Sequence, residues 1–433
     1  LPLDSALSVK LARSETKSDY NLLDYYVRAT AGGIESVTLS DPVFNGKLVA
    51  TSYAVALTTN PVDFLGAKVF YKYYDKDNKS DKITHTDSSI NSGNPFTTHL
   101  FDYNKENYGA ELDIKLPAKF SLMPGYSYLK TKRLRGDLPE TTDYIYSLAL
   151  KWSGVDFMTA KVAYERLNRS AEHKVGTTLF GTDQATANIV EPYIWRFDAA
   201  PMERDTYKVS VDIYPLETLS FGLHYKQKKS DYTDTILGLK DDKSSEYGID
   251  ADWKISDFIT VNGYAEYEET KSSQVQRYSN NAAGLNPNVA GTAANYSWKV
   301  ANKDKTYNYG AGAEIYAIPK KLTFKLQFDH TDSDGHSDFS FFDYTPAQNS
   351  DVSNVDDYRK TAFTLKTKYD VSKNIAITAG YAYEQYKYND IAVDGYLYTY
   401  NGGSNTTISS LTGAYSAPSY KANIVFLSVA YKF

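Results

Sequence analysis

Hydrophobic and polar residues alternate along much of the chain. Between Lys208 and Tyr214, the apolar Val209, Val211 and Ile213 interleave with Lys208, Ser210 and Asp212. Beyond Pro215 the pattern resumes, with Leu219, Phe221, Leu223 and Tyr225 set against Ser220, Gly222, His224 and Lys226. A strict period of two marks a β-strand with one apolar face. The unit recurs around short turns at Asn60–Asp63, Leu116–Lys119, Ser153–Asp156, Pro215–Glu217, Ile255–Asp257, Ile318–Lys321 and Asp370–Asn374. Each turn joins two alternating segments of roughly 10 to 14 residues, long for globular strands. Their far ends run into polar stretches rich in Asn, Asp, Ser, Thr and Gly, at 18–46, 76–103, 132–142, 169–204, 230–243, 271–303, 334–357 and 389–419. Such composition marks loops.

Seven hairpins, a leading segment at 3–16 and a closing one at 420–433 predict about 16 strands. An even strand number, short turns at one end and long loops at the other are the signature of an all-β, antiparallel up-and-down transmembrane β-barrel. The expected arrangement has short periplasmic turns and long extracellular loops, with residues 1–433 as a single domain. Leu1-Pro2-Leu3-Asp4-Ser5 resembles the middle of a turn, as in Tyr214-Pro215-Leu216-Glu217-Thr218. The chain is therefore expected to begin at a turn, with upstream strands and a larger barrel as the corollary. A soluble β-sandwich accounts for the alternation but not for the one-sided loops or the apolar outer face.

The last strand sets the phase. Leu427, Val429, Tyr431 and Phe433 form one face, and Ser428, Ala430 and Lys432 the other. Charge toward lipid is costly, so the apolar face is assigned outward. Ile375, Ile377, Ala379, Tyr381 and Tyr383 share it, as do Leu322, Phe324, Leu326 and Phe328. The inward set has both signs of charge and is the expected contact surface for a lumenal partner. It comprises Lys68, Lys72, Glu111, Asp113, Lys161, Glu165, Lys208, Asp212, His224, Lys226, Asp250, Glu266, Glu314, Lys325, Lys366 and Glu384. Gly, Ala and Ser lie between them, which implies a hydrated lumen. Lys132, Arg133 and Arg135 are expected at the extracellular rim. There they would meet lipopolysaccharide phosphates or an acidic patch of a partner, or simply face solvent.

Composition sharpens this picture. Mean hydropathy is −0.48 and net charge −6, as in a water-soluble chain. The chain has 40 Tyr, however, and Tyr clusters such as Tyr71, Tyr73 and Tyr74 suit an interfacial girdle. No apolar run is long enough for a transmembrane helix. The mild acidity argues against nucleic acid as a partner. With no Cys, the chain has no thiolate metal site and no c-type haem attachment.

From about Glu203 onward the residues resemble the MtrB/PioB family of decahaem-associated outer-membrane barrels. The resemblance rests on Asp234–Ser244, Tyr264–Gln274, and the stretch from Asp304 through Gly310-Ala311-Gly312 and Pro319–Leu322 to Thr331–Gly335. It extends to Tyr383–Asp390, Tyr420–Asn423 and Leu427–Phe433. It covers roughly half the chain. Some family members carry an N-terminal C-x-x-C that is absent here. The resemblance implies a bacterial outer-membrane location and a porin-like sheath around a multihaem c-type cytochrome. The partner would carry the haem c, and a second cytochrome would dock on the outer loops. The same residues suit a diffusion porin for ions or small solutes, in which the 169–204 loop would fold inward as a constriction. An adhesin acting through its loops is the third reading.

Discrete chemistry is sparse. His330-Thr331-Asp332-Ser333-Asp334-Gly335 has calcium-loop character, with Asp332 and Asp334 as weak ligands, but Phe341 occupies the position where a bidentate Glu is needed. Among the six histidines only His224 is assigned to the lumen, as an isolated polar residue. No inward Ser–His or Asp–His pair can be named, so no enzymatic activity is expected.

Overall fold

The computed structural model describes residues 4–22, 25–30, 33–86, 96–176, 192–279, 282–343, 349–391 and 419–432. The proposed turn at Leu1–Leu3, the terminal Phe433 and most of the 389–419 stretch lie outside them. A 17-stranded antiparallel sheet dominates. Its members are β1 (Ala6–Asn21), β2 (Val43–Val62), β3 (Leu65–Asn78), β4 (Tyr103–Leu116), β5 (Phe120–Arg133) and β6 (Glu140–Val155). They continue as β7 (Met158–Ala171), β8 (Met202–Leu216), β9 (Leu219–Asp231), β10 (Gly238–Ser256), β11 (Ile259–Ser279) and β12 (Asn295–Ile318). The last are β13 (Leu322–Phe341), the short β14 (Asn349–Val352), β15 (Asp357–Asp370), β16 (Ile375–Asn389) and β17 (Tyr420–Tyr431). Apart from the four-residue β14, which pairs only with the outer end of β13, each long strand pairs with the next. The seven predicted short turns all join adjacent strands. Among the described residues, β1 and β17 are each paired on one side only, so no ladder closes the sheet.

Register confirms the two faces. On the outer face Val55, Tyr71, Tyr108, Tyr128 and Tyr144 succeed one another across β2 to β6. Tyr225, Tyr247, Tyr267 and Tyr307 do the same across β9 to β12. Their rings touch, with centroids 4.8 Å apart for Tyr108 and Tyr128 and 4.9 Å for Tyr267 and Tyr307. A second aromatic row marks the short-turn end, where Phe120 faces Trp152 at 6.3 Å and Phe157 and Phe258 are exposed. Leu57, Val69, Leu112, Leu148, Val162, Leu223 and Ile249 fill the band between and are exposed. Two aromatic girdles around an aliphatic band form the surface that lipid requires, the band being about 25 Å tall in such barrels.

Strands run further than their alternation predicted. β11 has 21 residues, β12 24 and β13 20, so much of 271–303 and 334–357 is ladder rather than loop. Past the tyrosine row the strands leave lipid, and their outer face turns polar while backbone pairing continues. Asn, Ser and Thr there report water, not a chain break. Consequently Tyr247, Tyr267 and Tyr307 sit near mid-strand, not at strand ends. The first two long stretches also build a separate four-stranded sheet from Tyr25–Thr30, Gly33–Leu39, Thr84–Thr86 and Phe96–Thr97, which local pattern did not predict.

Two outcomes follow. Leu148→Arg, on the lipid face, should cost about 2–4 kcal/mol, whereas Ser147→Arg, its inward neighbour, should cost far less. Urea midpoints of protein folded into lipid vesicles check this, and equal shifts would contradict the face assignment. Ala118 holds φ 57° in the β4–β5 turn, a left-handed conformation. Replacing it with Gly should raise stability by about 1 kcal/mol, read as a higher thermal midpoint.

Candidate functional site

The inner face is built by the strand residues that alternate with the lipid-facing ones. Lys68, Glu111, Asp113, Lys161, Glu165, Lys208, His224 and Lys226 line one cavity of 690 Å³, together with Glu246. Within it Lys68 pairs with Glu111 at 2.8 Å and Lys226 with Glu246 at 2.9 Å. Asp113 accepts a hydrogen bond from Ser121. A second cavity of 400 Å³ gathers Glu314, Lys325 and Lys366 beside Asp252, with Lys325 and Glu314 3.0 Å apart. Lys72 lines a third, of 570 Å³, with Lys10 and Lys105. Glu384 pairs with Lys360 at 2.9 Å. Asp212 and Asp250 flank Gly222 in register, and the Asp250 carboxylate lies so close over Gly222 that a Cβ there would stand 2.3 Å from Oδ1. The sixteen inward residues thus share a face but form several sites, not one.

His224 is not isolated, contrary to the sequence reading. Its Nε2 stands 3.6 Å from Glu246 and 3.8 Å from Glu266, and Ser210 is its cross-strand neighbour. The ring lies over Gly248, where any Cβ would collide with it at 2.0 Å. Local sequence could not show this grouping, because it comes from four different strands. Both carboxylates approach the same ring nitrogen, so the imidazole is not poised between an acid and a nucleophile as in a hydrolase relay.

The basic rim divides. Lys132 keeps the outward phase and lies opposite Glu140. Arg133 and Arg135 turn inward. Arg135, mostly buried, grips Asp137 through two hydrogen bonds of 2.6 Å and reaches Asp198 at 2.5 Å. Arg169 makes a bidentate pair with Asp143 and donates to the Asp198 carbonyl, and Arg196 meets Asp137 at 3.2 Å. These pairs fasten the segment from Tyr193 to Ala200 to the inner side of the long-loop end. There the Trp195 N–H donates to the Leu237 carbonyl and the Leu237 N–H to the Tyr193 carbonyl. Ala200, Met202, Leu167 and Tyr232 pack into a small apolar core beside Trp195. The inward fold expected of the 169–204 stretch is therefore present in its described part; 177–191 lies outside the described residues. The spacing Arg135-Gly136-Asp137 was the available signal for this clasp.

The calcium reading fails on geometry. Residues 330–335 are β-strand within β13, and Asp332 is held by Arg359 at 2.8 Å. Nearby, His336 Nε2 lies 3.2 Å from both Asp338 and Asp351, brought together when β14 pairs with β13. Among the described residues this is the one grouping close enough to hold a metal ion.

The family model described as "Putative outer membrane beta-barrel porin, MtrB/PioB" matches residues 1–433. The chain belongs to the MtrB/PioB family. Outer membrane protein MtrB of Shewanella baltica (strain OS185) is 22% identical over 392 residues, which is 87% of this chain and 50% of that protein. The chain thus spans about half the length of this curated relative. Among solved structures, the copper transporter OprC superposes over 99% of this chain and 81% of its own, with a TM-score of 0.48 and 10% identity. An anion-selective porin from Comamonas acidovorans aligns over 99% of this chain and all of its own, with a TM-score of 0.36 and 11% identity. As an MtrB/PioB porin, this chain is an outer-membrane β-barrel protein.

Asp137 gives the clasp a pH limit. Burial works to raise its pKa, but hydrogen bonding and charge from Arg135 outweigh burial and hold it below the usual range. A lowered carboxylate stabilises the fold above its unfolded pKa of about 3.9, and that stability is lost as pH falls through the folded value. His173, half-buried against Trp195 at 4.4 Å, is lowered by burial and loses its fit below about pH 6.5. Acidification should release the Tyr193–Ala200 segment, loosening it below about pH 6.5 and freeing it below about pH 4. Trp195 fluorescence and limited proteolysis report this. Arg135→Ala should cost about 3–5 kcal/mol locally and give the same release at neutral pH.

Proposed function

We propose that this MtrB/PioB porin is the sheath of an electron conduit, housing a multihaem c-type cytochrome in its lumen. The observation that carries the proposal is the inner wall. It is small-residued, hydrated and set with half-exposed ion pairs of both signs, as at Lys68–Glu111 and Lys325–Glu314. Half-exposed pairs retain lone pairs and N–H groups that a protein surface can engage. Membership of the family supports this reading. The wall excludes lipid, holds the partner in place and contributes no redox centre.

A diffusion porin is the second reading. The inward-packed Tyr193–Ala200 segment favours it, because such a segment narrows the mouth. Purification from the native membrane in mild detergent, with a haem stain and an absorption spectrum, separates the two. A sheath should co-purify with a haem-staining protein and show c-type bands. A colourless protein that conducts ions alone in a planar bilayer would establish the porin reading instead.

A further inference from the structure

Some inner-wall cations are held by carboxylates, as Lys226 is by Glu246 at 2.9 Å and Arg169 by Asp143 at 2.7 Å. Around Tyr103 they are not. Register places Lys76 opposite Tyr103 on one side and Arg133 opposite it on the other. Lys105, two residues further along β4, projects from the same face. The ammonium groups of Lys76 and Lys105 lie 5.7 and 5.2 Å from the centre of the Tyr103 ring, so both rest on one aromatic platform. The Arg133 guanidinium donates to the Thr141 hydroxyl at 2.9 Å. Among the described residues no carboxylate forms an ion pair with any of these three cations.

Neighbouring carboxylates are already engaged. Asp102 accepts from the backbone N–H of Asn78, and Asp198 from Arg135 at 2.5 Å. A cavity of 620 Å³ is lined by Lys105, Arg133, Arg135 and Arg196 with Asp102 and Asp198 around Tyr103, and Lys76 reaches the Tyr103 ring from outside that lining. An aromatic face steadies a cation without neutralising it. Four cations against two carboxylates in the lining therefore leave a local positive potential in the cavity, to which Lys76 adds from beside the Tyr103 ring.

We propose that Lys76, Lys105 and Arg133 form a binding site for a doubly charged oxyanion, phosphate or a phosphate monoester, on the lumenal side of the extracellular mouth. The guanidinium fork supplies directional paired donors, and the two ammonium groups supply compact charge, a combination suited to a tetrahedral dianion. All three cations have the inward phase, which separates them from lipid headgroups on the outer face. The ligand is thus a solute of the lumen.

The test is titration calorimetry on the full chain in uncharged detergent at low salt, with inorganic phosphate as the probe. One saturable site is expected, weakened by about tenfold or more in a Lys105→Gln/Arg133→Gln double variant. It should also weaken strongly in about 0.5 M KCl. Lys151→Gln, which removes an inner-wall lysine at the short-turn end of β6, far from the cluster, should leave the affinity unchanged. Heat-modifiable gel migration checks that each variant is folded. Glycerol phosphate is the second arm: tighter binding than phosphate assigns the site to an ester, weaker binding to the free ion. No saturable binding by the native chain, equal affinity in the folded double variant, or an equal loss in Lys151→Gln would overturn the proposal.

Discussion

Everything in this molecule depends on backbone hydrogen bonding where there is no water to supply it. In hydrocarbon each strand must find its N–H and C=O partners in the next strand, and here sixteen long strands do so in chain order. Side chains alternate with a period of two, so a slip of one residue would turn every leucine into the lumen and every lysine into lipid. The ladder that satisfies the backbone therefore also fixes register, and register fixes both faces. The tyrosine row from Tyr225 to Tyr307 and the ion pairs behind it are two consequences of the same pairing.

The parts of this arrangement that sequence revealed are the local ones. The turn at Pro215–Glu217 is visible because alternation breaks and resumes on either side of it within a dozen residues. The inward phase of His224 follows from its neighbours Leu223 and Tyr225. The extent of β12 was not visible, because alternation of apolar and polar residues signals lipid on one side only, and the outer third of β12 lies beyond lipid, with Ser297 on one face and Val300 on the other both buried. Where that contrast ends, the ladder continues without leaving a pattern in the residues.

Long-range placement was hidden for another reason. Arg135, Asp198, Arg169 and Asp143 come from four separate stretches and meet only after the sheet has formed and the Tyr193–Ala200 segment has folded inward. Nothing in the run Lys130–Arg135 distinguishes the outward Lys132 from the inward, buried Arg135. The same applies to His336 and Asp351, which are brought together by a four-residue strand. Asp332 shows the reverse error: a ligand-like motif lost its meaning once its backbone proved to be extended.

Register also decides which charges are neutralised. Lys68 and Glu111, Lys226 and Glu246, Glu314 and Lys325, and Arg169 and Asp143 are all directly opposed across neighbouring strands. Opposed side chains stand close enough for contact, and such pairs add about 0.2–1 kcal/mol each. Lys72 is opposed by Ala54 and Asn107, and Lys76 by Ala50 and Tyr103. Neither has a carboxylate directly opposite, and their ammonium groups settle over aromatic rings, Lys72 over Phe70 at 4.8 Å and Lys76 over Tyr103 at 5.7 Å. The chain as a whole is acidic, yet at its long-loop end the wall formed by β3 to β5 carries Lys76, Lys105 and Arg133, for which the described residues supply no ion-pair partner. Net charge sums over both faces and every loop, so it carries no trace of this wall. The constraint that lets the sheet exist in a membrane also decides which lumenal cations remain available to whatever enters.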